Sequence, residues 1–213
     1  MDILHAIRSY ADQPLTHQLL VSILKEYKRP NDKINSLVEE GVLTPVKKGL
    51  YVTGSALGIR KNPEPFLLAN HLLGPSYVSI DSALSYYELI PERVYEITSV
   101  TLKTSREFLT LIGRFSYAHL PFPYYSFGIR QVEVSTNQRV LMACPEKALF
   151  DKIVTTKKLQ IRSKRDAMHY LFDDLRMNEF GLKEMNLTMM DEWIKDSPKE
   201  ESLAYIIRTI HNL

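Results

Sequence analysis

Residues 28–52 read KRPNDKINSLVEEGVLTPVKKGLYV, and this stretch decides the fold of the first part of the chain. Its apolar residues Ile34, Leu37 and Val38 recur at helical spacing. The pattern predicts an amphipathic helix from about residue 31 to residue 40.

A basic hairpin is predicted directly after this helix. Residues 42–52 are rich in Val, Leu and Tyr on both sides of a Lys47-Lys48-Gly49 turn, which is typical of two short strands. Pro45 limits the first strand to an edge position, because proline has no N–H to donate to a second neighbour.

Two further helices are predicted before residue 28. The first covers about residues 1–11, and Thr16 is placed as the N-cap of the second. Three short helices followed by a basic hairpin is the order of a winged helix-turn-helix. The sequence therefore predicts a DNA-binding domain over residues 1–55.

The distribution of charge agrees with that interpretation. Residues 1–61 hold nine Lys or Arg and six Asp or Glu, a net charge of +3, whereas residues 62–213 hold 18 and 19, a net charge of −1. An excess of positive charge at one end favours a polyanionic partner. Glu39 and Glu40 weigh against it, because they would repel a phosphate backbone, so a protein-interaction module remains an alternative.

The candidate contacts to double-stranded DNA precede the third helix, lie on its outward side or edge, or occupy the hairpin turn. They are Lys28, Arg29, Asn31, Lys33, Asn35, Ser36, Lys47 and Lys48. Basic residues beside the helix are suited to phosphates, and polar residues on the helix are suited to base edges.

Residues 54–62 are interpreted as a linker, and residues 62–213 as a second, mixed α/β domain with a helical C-terminal part. Asn62-Pro63 is expected to begin a helix, and Ser79 is expected to cap another. Strands are predicted near residues 94–102, 114–120, 129–135 and 139–143, and a helix is predicted from Pro145 onward. The fold class expected for the whole chain is α+β.

Few residues point to catalysis. The sequence contains no phosphate-binding glycine loop, no nucleophile elbow and no close pair of histidines, so no enzyme activity, metal or cofactor is expected. Cys144 is the single cysteine, and it is interpreted as a small buried residue at a helix start. An enzyme built on the strand-containing region is kept as an alternative.

Two polar or aromatic stretches remain as candidate surfaces in the second domain. The run Lys103, Thr104, Ser105 and Arg106 leaves a predicted strand and is the candidate functional surface. Tyr124 and Tyr125 lie between prolines and a phenylalanine, and are expected to form an exposed aromatic surface.

The composition is that of a globular protein. The chain has 213 residues, of which 45% are hydrophobic and 24% are charged. No apolar run approaches the length that spans a bilayer, and the first residues do not form a signal peptide. A cytoplasmic protein with no membrane partner is expected.

The order of motifs resembles the AbiEi antitoxin family of type IV toxin–antitoxin systems. The similarity is good over residues 1–155 and loose beyond them. It is carried by the segments Lys48 to Val52, Gly74 to Ser79, Ala83-Leu84, Tyr86-Tyr87, Thr98 to Arg106, and Ala143 to Asp151. The chain departs from the family at Cys144, where the family usually has serine as the helix cap.

This resemblance implies an antitoxin that also represses its own operon. The first domain would bind the promoter, and the second would counteract a nucleotidyltransferase-like toxin without requiring a stable complex. The alternative is a winged-helix transcriptional regulator whose second domain senses a ligand or dimerises. A homodimer is a further expectation, because one small winged helix buries little surface on DNA.

Overall fold

The chain has an α+β fold built around two sheets, and this computed structural model describes residues 2–59 and 62–213. We call residues 2–59 the N-terminal unit and residues 62–213 the second unit.

The N-terminal unit combines three helices with a three-stranded antiparallel sheet of order β1-β3-β2. Its elements are α1 (Ile3–Arg8), β1 (Leu15–Thr16), α2 (His17–Ile23), α3 (Pro30–Glu39), β2 (Leu43–Lys47) and β3 (Leu50–Thr53).

Local chemistry explains where these elements begin and end. The Thr16 hydroxyl accepts the backbone N–H of Leu19 at 3.2 Å, so Thr16 is the N-cap of α2 as predicted. Gly41 ends α3 with a φ of 71°, and Gly49 turns the hairpin with a φ of 82°. Pro45 lies on β2, which is an edge strand as predicted.

The second unit contains a six-stranded mixed sheet of order β6-β7-β5-β4-β9-β8. The pairs β5–β7 and β4–β9 are parallel, and the other neighbouring strands are antiparallel. The elements are α4 (Pro65–Leu72), β4 (Ser76–Val78), α5 (Ile80–Tyr86), β5 (Glu96–Thr101), β6 (Arg106–Leu109), β7 (Arg114–His119), β8 (Ile129–Ser135), β9 (Gln138–Ala143) and α6 (Pro145–Thr155).

Helices complete the C-terminal part of the second unit. They are α7 (Lys164–Met168), which continues as a π-helix over His169–Asp174, α8 (Glu179–Lys183), α9 (Leu187–Trp193) and α10 (Glu200–His211). The helical character expected after residue 163 is thus confirmed.

The hairpin of the N-terminal unit belongs to two cores at once. Val46, Leu50 and Val52 are buried in the large apolar cluster of the second unit. Tyr51 packs instead against the small cluster of the N-terminal unit. Successive residues of a strand point to opposite faces, so β3 contributes one face to each unit.

A buried ion pair lies at the centre of the second unit. The Lys147 Nζ is 2.9 Å from the Asp151 Oδ1, and both side chains are fully buried. The hydroxyls of Tyr77 and Ser79 donate to the Asp151 Oδ2 at 2.9 and 2.7 Å. The Lys147 ammonium also donates to the Tyr124 carbonyl oxygen at 2.9 Å.

The structure corrects three details of the sequence analysis. The helix expected from Asn62-Pro63 begins at Pro65, with Glu64 as its N-cap. Ser79 is the N-cap residue of α5, but its hydroxyl makes no capping bond because it donates to Asp151. Tyr124 and Tyr125 are buried, not exposed, because Tyr124 packs against the Lys147 ammonium and Tyr125 against Tyr77.

Candidate nucleic-acid interface

A groove of about 510 Å³ separates α3 from the hairpin. Its lining combines polar and basic side chains with a short apolar floor. The residues that line it are His17, Asn31, Ile34, Asn35, Lys48, Gly49 and Tyr51.

Three elements are joined at this groove. The backbone N–H of His17, the first residue of α2, donates to the Gly49 carbonyl in the hairpin turn at 2.9 Å. The imidazole Nε2 of His17 is 2.8 Å from the Asn31 Oδ1 at the start of α3. The starts of both helices are therefore attached to the hairpin turn.

Asn31 and Asn35 lie one turn apart on the side of α3 that faces the hairpin. Both are exposed. The Asn31 carbonyl oxygen is bonded to His17, whereas the Asn35 amide has no hydrogen-bond partner among the described residues. Asn35 therefore has both its donor and its acceptor available to a ligand.

Lys33 and Ser36 are not among the residues that line the groove. The Lys33 Nζ is 3.4 Å from the Glu40 carboxylate, and the Ser36 hydroxyl donates to the same carboxylate. That hydroxyl, together with the Lys33 charge, lowers the pKa of Glu40. A hundred degrees of rotation per residue puts Lys33 nearly opposite Asn31 on the helix.

Lys48 lines the groove, and Lys28 and Arg29, which immediately precede α3, are exposed. Arg29 approaches Asp32 at 3.7 Å, with both side chains largely in solvent, so this pair is weak and leaves Arg29 able to bind another anion.

Lys47 does not accompany Lys48 at the hairpin tip. Its ammonium donates to the Leu72 carbonyl at the C-terminal end of α4. Burial lowers the pKa of Lys47, and the positive charges of Lys103 and Arg106 lower it further. Lys47 therefore links the hairpin to the second unit, which corrects its expected place at the tip.

The run from Lys103 to Arg106 lies next to Lys47. The Lys103 N–H donates to the Thr101 hydroxyl, which in turn donates to the Pro75 carbonyl just beyond α4, at 3.2 and 2.8 Å. Its other members, Thr104, Ser105 and Arg106, are exposed, and Arg106 lies 5.4 Å from the ring centre of Phe108. Lys47, which was predicted as a DNA contact, thus lies beside the candidate surface of the second unit.

The sequence pattern did not single out His17 or Tyr51 as groove residues. His17 follows a helix cap, where a histidine has no distinguishing pattern. Its position opposite the hairpin turn depends on the pairing of Thr16 with Leu50, which local sequence does not encode. The alternation of Leu50, Tyr51 and Val52 was the available signal for Tyr51.

The second unit offers little for nucleophilic or metal chemistry. Burial raises the pKa of the Cys144 thiol to about 12, so the thiol stays protonated at neutral pH. Among residues 2–59 and 62–213, no three His, Cys, Asp or Glu side chains are placed to hold a metal ion. No helix in those same residues is long and apolar enough to cross a membrane.

Neither a protein-family model nor a curated protein matches this chain. The chain is similar in structure to the RV2827C protein from Mycobacterium tuberculosis, with a TM-score of 0.62 and 14% sequence identity. The similarity covers 98% of this chain and 75% of that one. At this identity it is evidence for the α+β fold alone.

Proposed function

We propose that the chain binds double-stranded DNA through the groove between α3 and the hairpin, and that residues 1–55 act as a winged helix-turn-helix. The observation that carries this proposal is the groove itself. It presents two exposed amides and Lys48 side by side, with Lys28 and Arg29 at the preceding turn.

The dimensions of α3 support insertion into DNA. A helix with its side chains is about 10–12 Å across, which fits a B-DNA major groove about 12 Å wide. The ten residues of α3 give it a length of about 15 Å. With α3 in the groove, Lys48 at the hairpin turn would reach a phosphate of the flanking backbone. The hydrogen bonds from His17 hold the hairpin turn at a fixed distance from α3.

The proposed role of this DNA binding is repression of the chain's own operon, with the second unit acting as the antitoxin of a type IV system. This part rests on the resemblance to AbiEi proteins. The candidate antitoxin surface is Lys103, Thr104, Ser105 and Arg106, and the partner is a nucleotidyltransferase-like toxin in the cytoplasm. A regulator without a toxin is the alternative.

DNA binding is tested by measuring affinity for the chain's upstream DNA as salt is varied. Each phosphate contact contributes about 0.9 to the slope of log affinity against log salt. The triple variant of Lys28, Arg29 and Lys48 to alanine should bind every sequence more weakly and flatten that slope by up to about 2.7.

The matched control removes the same charge from the exposed Lys164, Arg165 and Lys195 of the C-terminal helices. We expect the control variant to keep the wild-type slope. Equal affinity and slope for the groove variant and wild type would mean that this groove is not the DNA surface.

The antitoxin role is tested by co-expressing the chain with the product of its neighbouring gene and scoring growth. Arg106→Ala should lose rescue while its melting temperature stays that of wild type, because Arg106 is exposed. If wild type binds upstream DNA but never rescues growth, the toxin-free regulator replaces the antitoxin.

A further inference from the structure

Two polar side chains of α3, Asn35 and Glu39, have no hydrogen bond or ion pair within the part of the chain that the structure describes, and of these two only Asn35 lines the groove. The side-chain amide oxygen of Asn31 is bonded to the His17 imidazole. Lys33 and Ser36 are bonded to Glu40, and Asp32 lies against Arg29. Asn35 has no such contact among the described residues, yet it lines the groove.

A free asparagine amide in this position has a specific chemical complement. Its carbonyl accepts from an exocyclic N6 amine while its NH₂ donates to N7, and adenine presents that pair of groups at its major-groove edge. Guanine presents two acceptors there, so an asparagine satisfies only half of its own groups against it. The Asn31 Oδ1 already pairs with the His17 Nε2, which fixes the orientation of that amide and leaves its oxygen one lone pair for a ligand.

We propose that Asn35 reads one adenine of an A·T pair in the major groove of the bound site, and so determines the sequence preference of the chain at that position. This inference rests on the DNA binding proposed above. The position of Asn35 on α3 supports this proposal. Asn35 lies one helical turn from Asn31, whose side chain is bonded to His17 on the side of the helix that faces the hairpin.

Acidic residues restrict which side of α3 faces the bases. Asp32 and Glu39 are exposed on the sector of the helix beyond Asn35. They would repel phosphates on that side, whereas Lys48 attracts them on the other. The helix should therefore approach the bases with its Asn31–Asn35 edge, which brings the free amide to the base pair.

The test selects binding sites for wild type and for Asn35→Ala from a library of random duplexes. We expect one strongly preferred A·T position in the wild-type site and a loss of preference at that position alone in the variant. Bidentate contacts discriminate by about 5- to 150-fold, so affinity for the selected site should fall by a factor in that range. Replacing that adenine by 7-deaza-adenine should weaken wild type and leave the variant unchanged.

Gln131→Ala is the matched control, because it removes an exposed side-chain amide from β8 of the second unit and leaves α3 unaltered. It should keep the wild-type preference at every position. If wild type selects a site but Asn35→Ala selects the same one, Asn35 does not read a base, while DNA binding stands. If wild type binds no duplex in a salt-dependent way, both proposals fail together.

Discussion

At the scale of single residues, the buried ion pair at the centre of the second unit is where we expect a substitution to reduce stability most. The Lys147–Asp151 pair is fully buried, and Asp151 also accepts from two hydroxyls. Burial lowers the pKa of Lys147 and the negative charge of Asp151 opposes that effect. Asp151 supplies the counter-charge for this buried ammonium, and the Tyr124 carbonyl oxygen accepts a further hydrogen bond from it.

Asp151→Asn should therefore destabilise the chain severely. The variant retains a group of the same shape but leaves a buried ammonium without a counter-charge, which costs about 3–5 kcal/mol in comparable sites. Urea unfolding followed by the fluorescence of Trp193 measures the loss. The comparison is Asp81→Asn, which removes the partly exposed partner of Lys152 and should cost about 1 kcal/mol or less. Equal losses in the two variants would contradict this account.

At the scale of elements, the local signals in the sequence were sufficient wherever an element forms from its own residues. The periodicity of α3, the Thr16 cap and the Pro45 edge position are such cases. β4 and β6 were not predicted, because strands of three and four residues carry too few residues for a period. They exist through pairing with β5 and β7.

The groove likewise contains residues that local sequence could place and residues whose contacts depend on distant parts of the chain. Spacing alone placed Lys48 in the hairpin turn and Asn35 at the edge of α3, and both line the groove. The partner of Lys47, in contrast, lies 25 residues away in sequence and on another unit. Contacts of that range depend on how the hairpin packs, and the hairpin packs through Val46, Leu50 and Val52 into a core that no local pattern describes.

This packing predicts that the two units unfold together. Val46→Ala removes two buried methyl groups from the shared core and should cost about 1–3 kcal/mol. Because the core is shared, helix loss by circular dichroism and the change at Trp193 should shift to lower urea by the same amount. Ala56→Gly in the exposed segment after β3 serves as a comparison that leaves the shared core intact. Two separated transitions in the Val46 variant would show that the units are independent.

At the scale of the whole molecule, the buried tyrosines set the behaviour in alkali. Burial raises the pKa of Tyr87 and Tyr170 to about 12, and raises those of Tyr77, Tyr117 and Tyr124 as well. In the unfolded chain these phenols titrate near 10. The folded state then holds protons that the unfolded state releases, so stability is complete below about pH 10 and declines as the pH rises toward 12.

Urea midpoints measured from pH 8 to pH 12 should therefore be level at first and then fall. Tyrosinate absorbance should appear together with unfolding, not before it. Tyr170→Phe should reduce the slope above pH 10, because it removes one of the raised phenols, while the exposed Tyr95→Phe should leave the slope unchanged. A tyrosinate signal that develops fully in the folded protein would overturn this prediction.

The two faces of β3 have an evolutionary consequence. Recombination within residues 54–62 would join this N-terminal unit to the second unit of another protein. Leu50 and Val52 would then have to pack into a core with different side chains. Whole N-terminal units should therefore rarely be exchanged intact between proteins of this fold. Point substitution at the exposed groove residues Asn31, Asn35 and Lys48 escapes that constraint, because their side chains contact solvent. Under the proposed DNA binding, new target preferences would then arise one residue at a time, while the face of β3 that carries Leu50 and Val52 stays apolar.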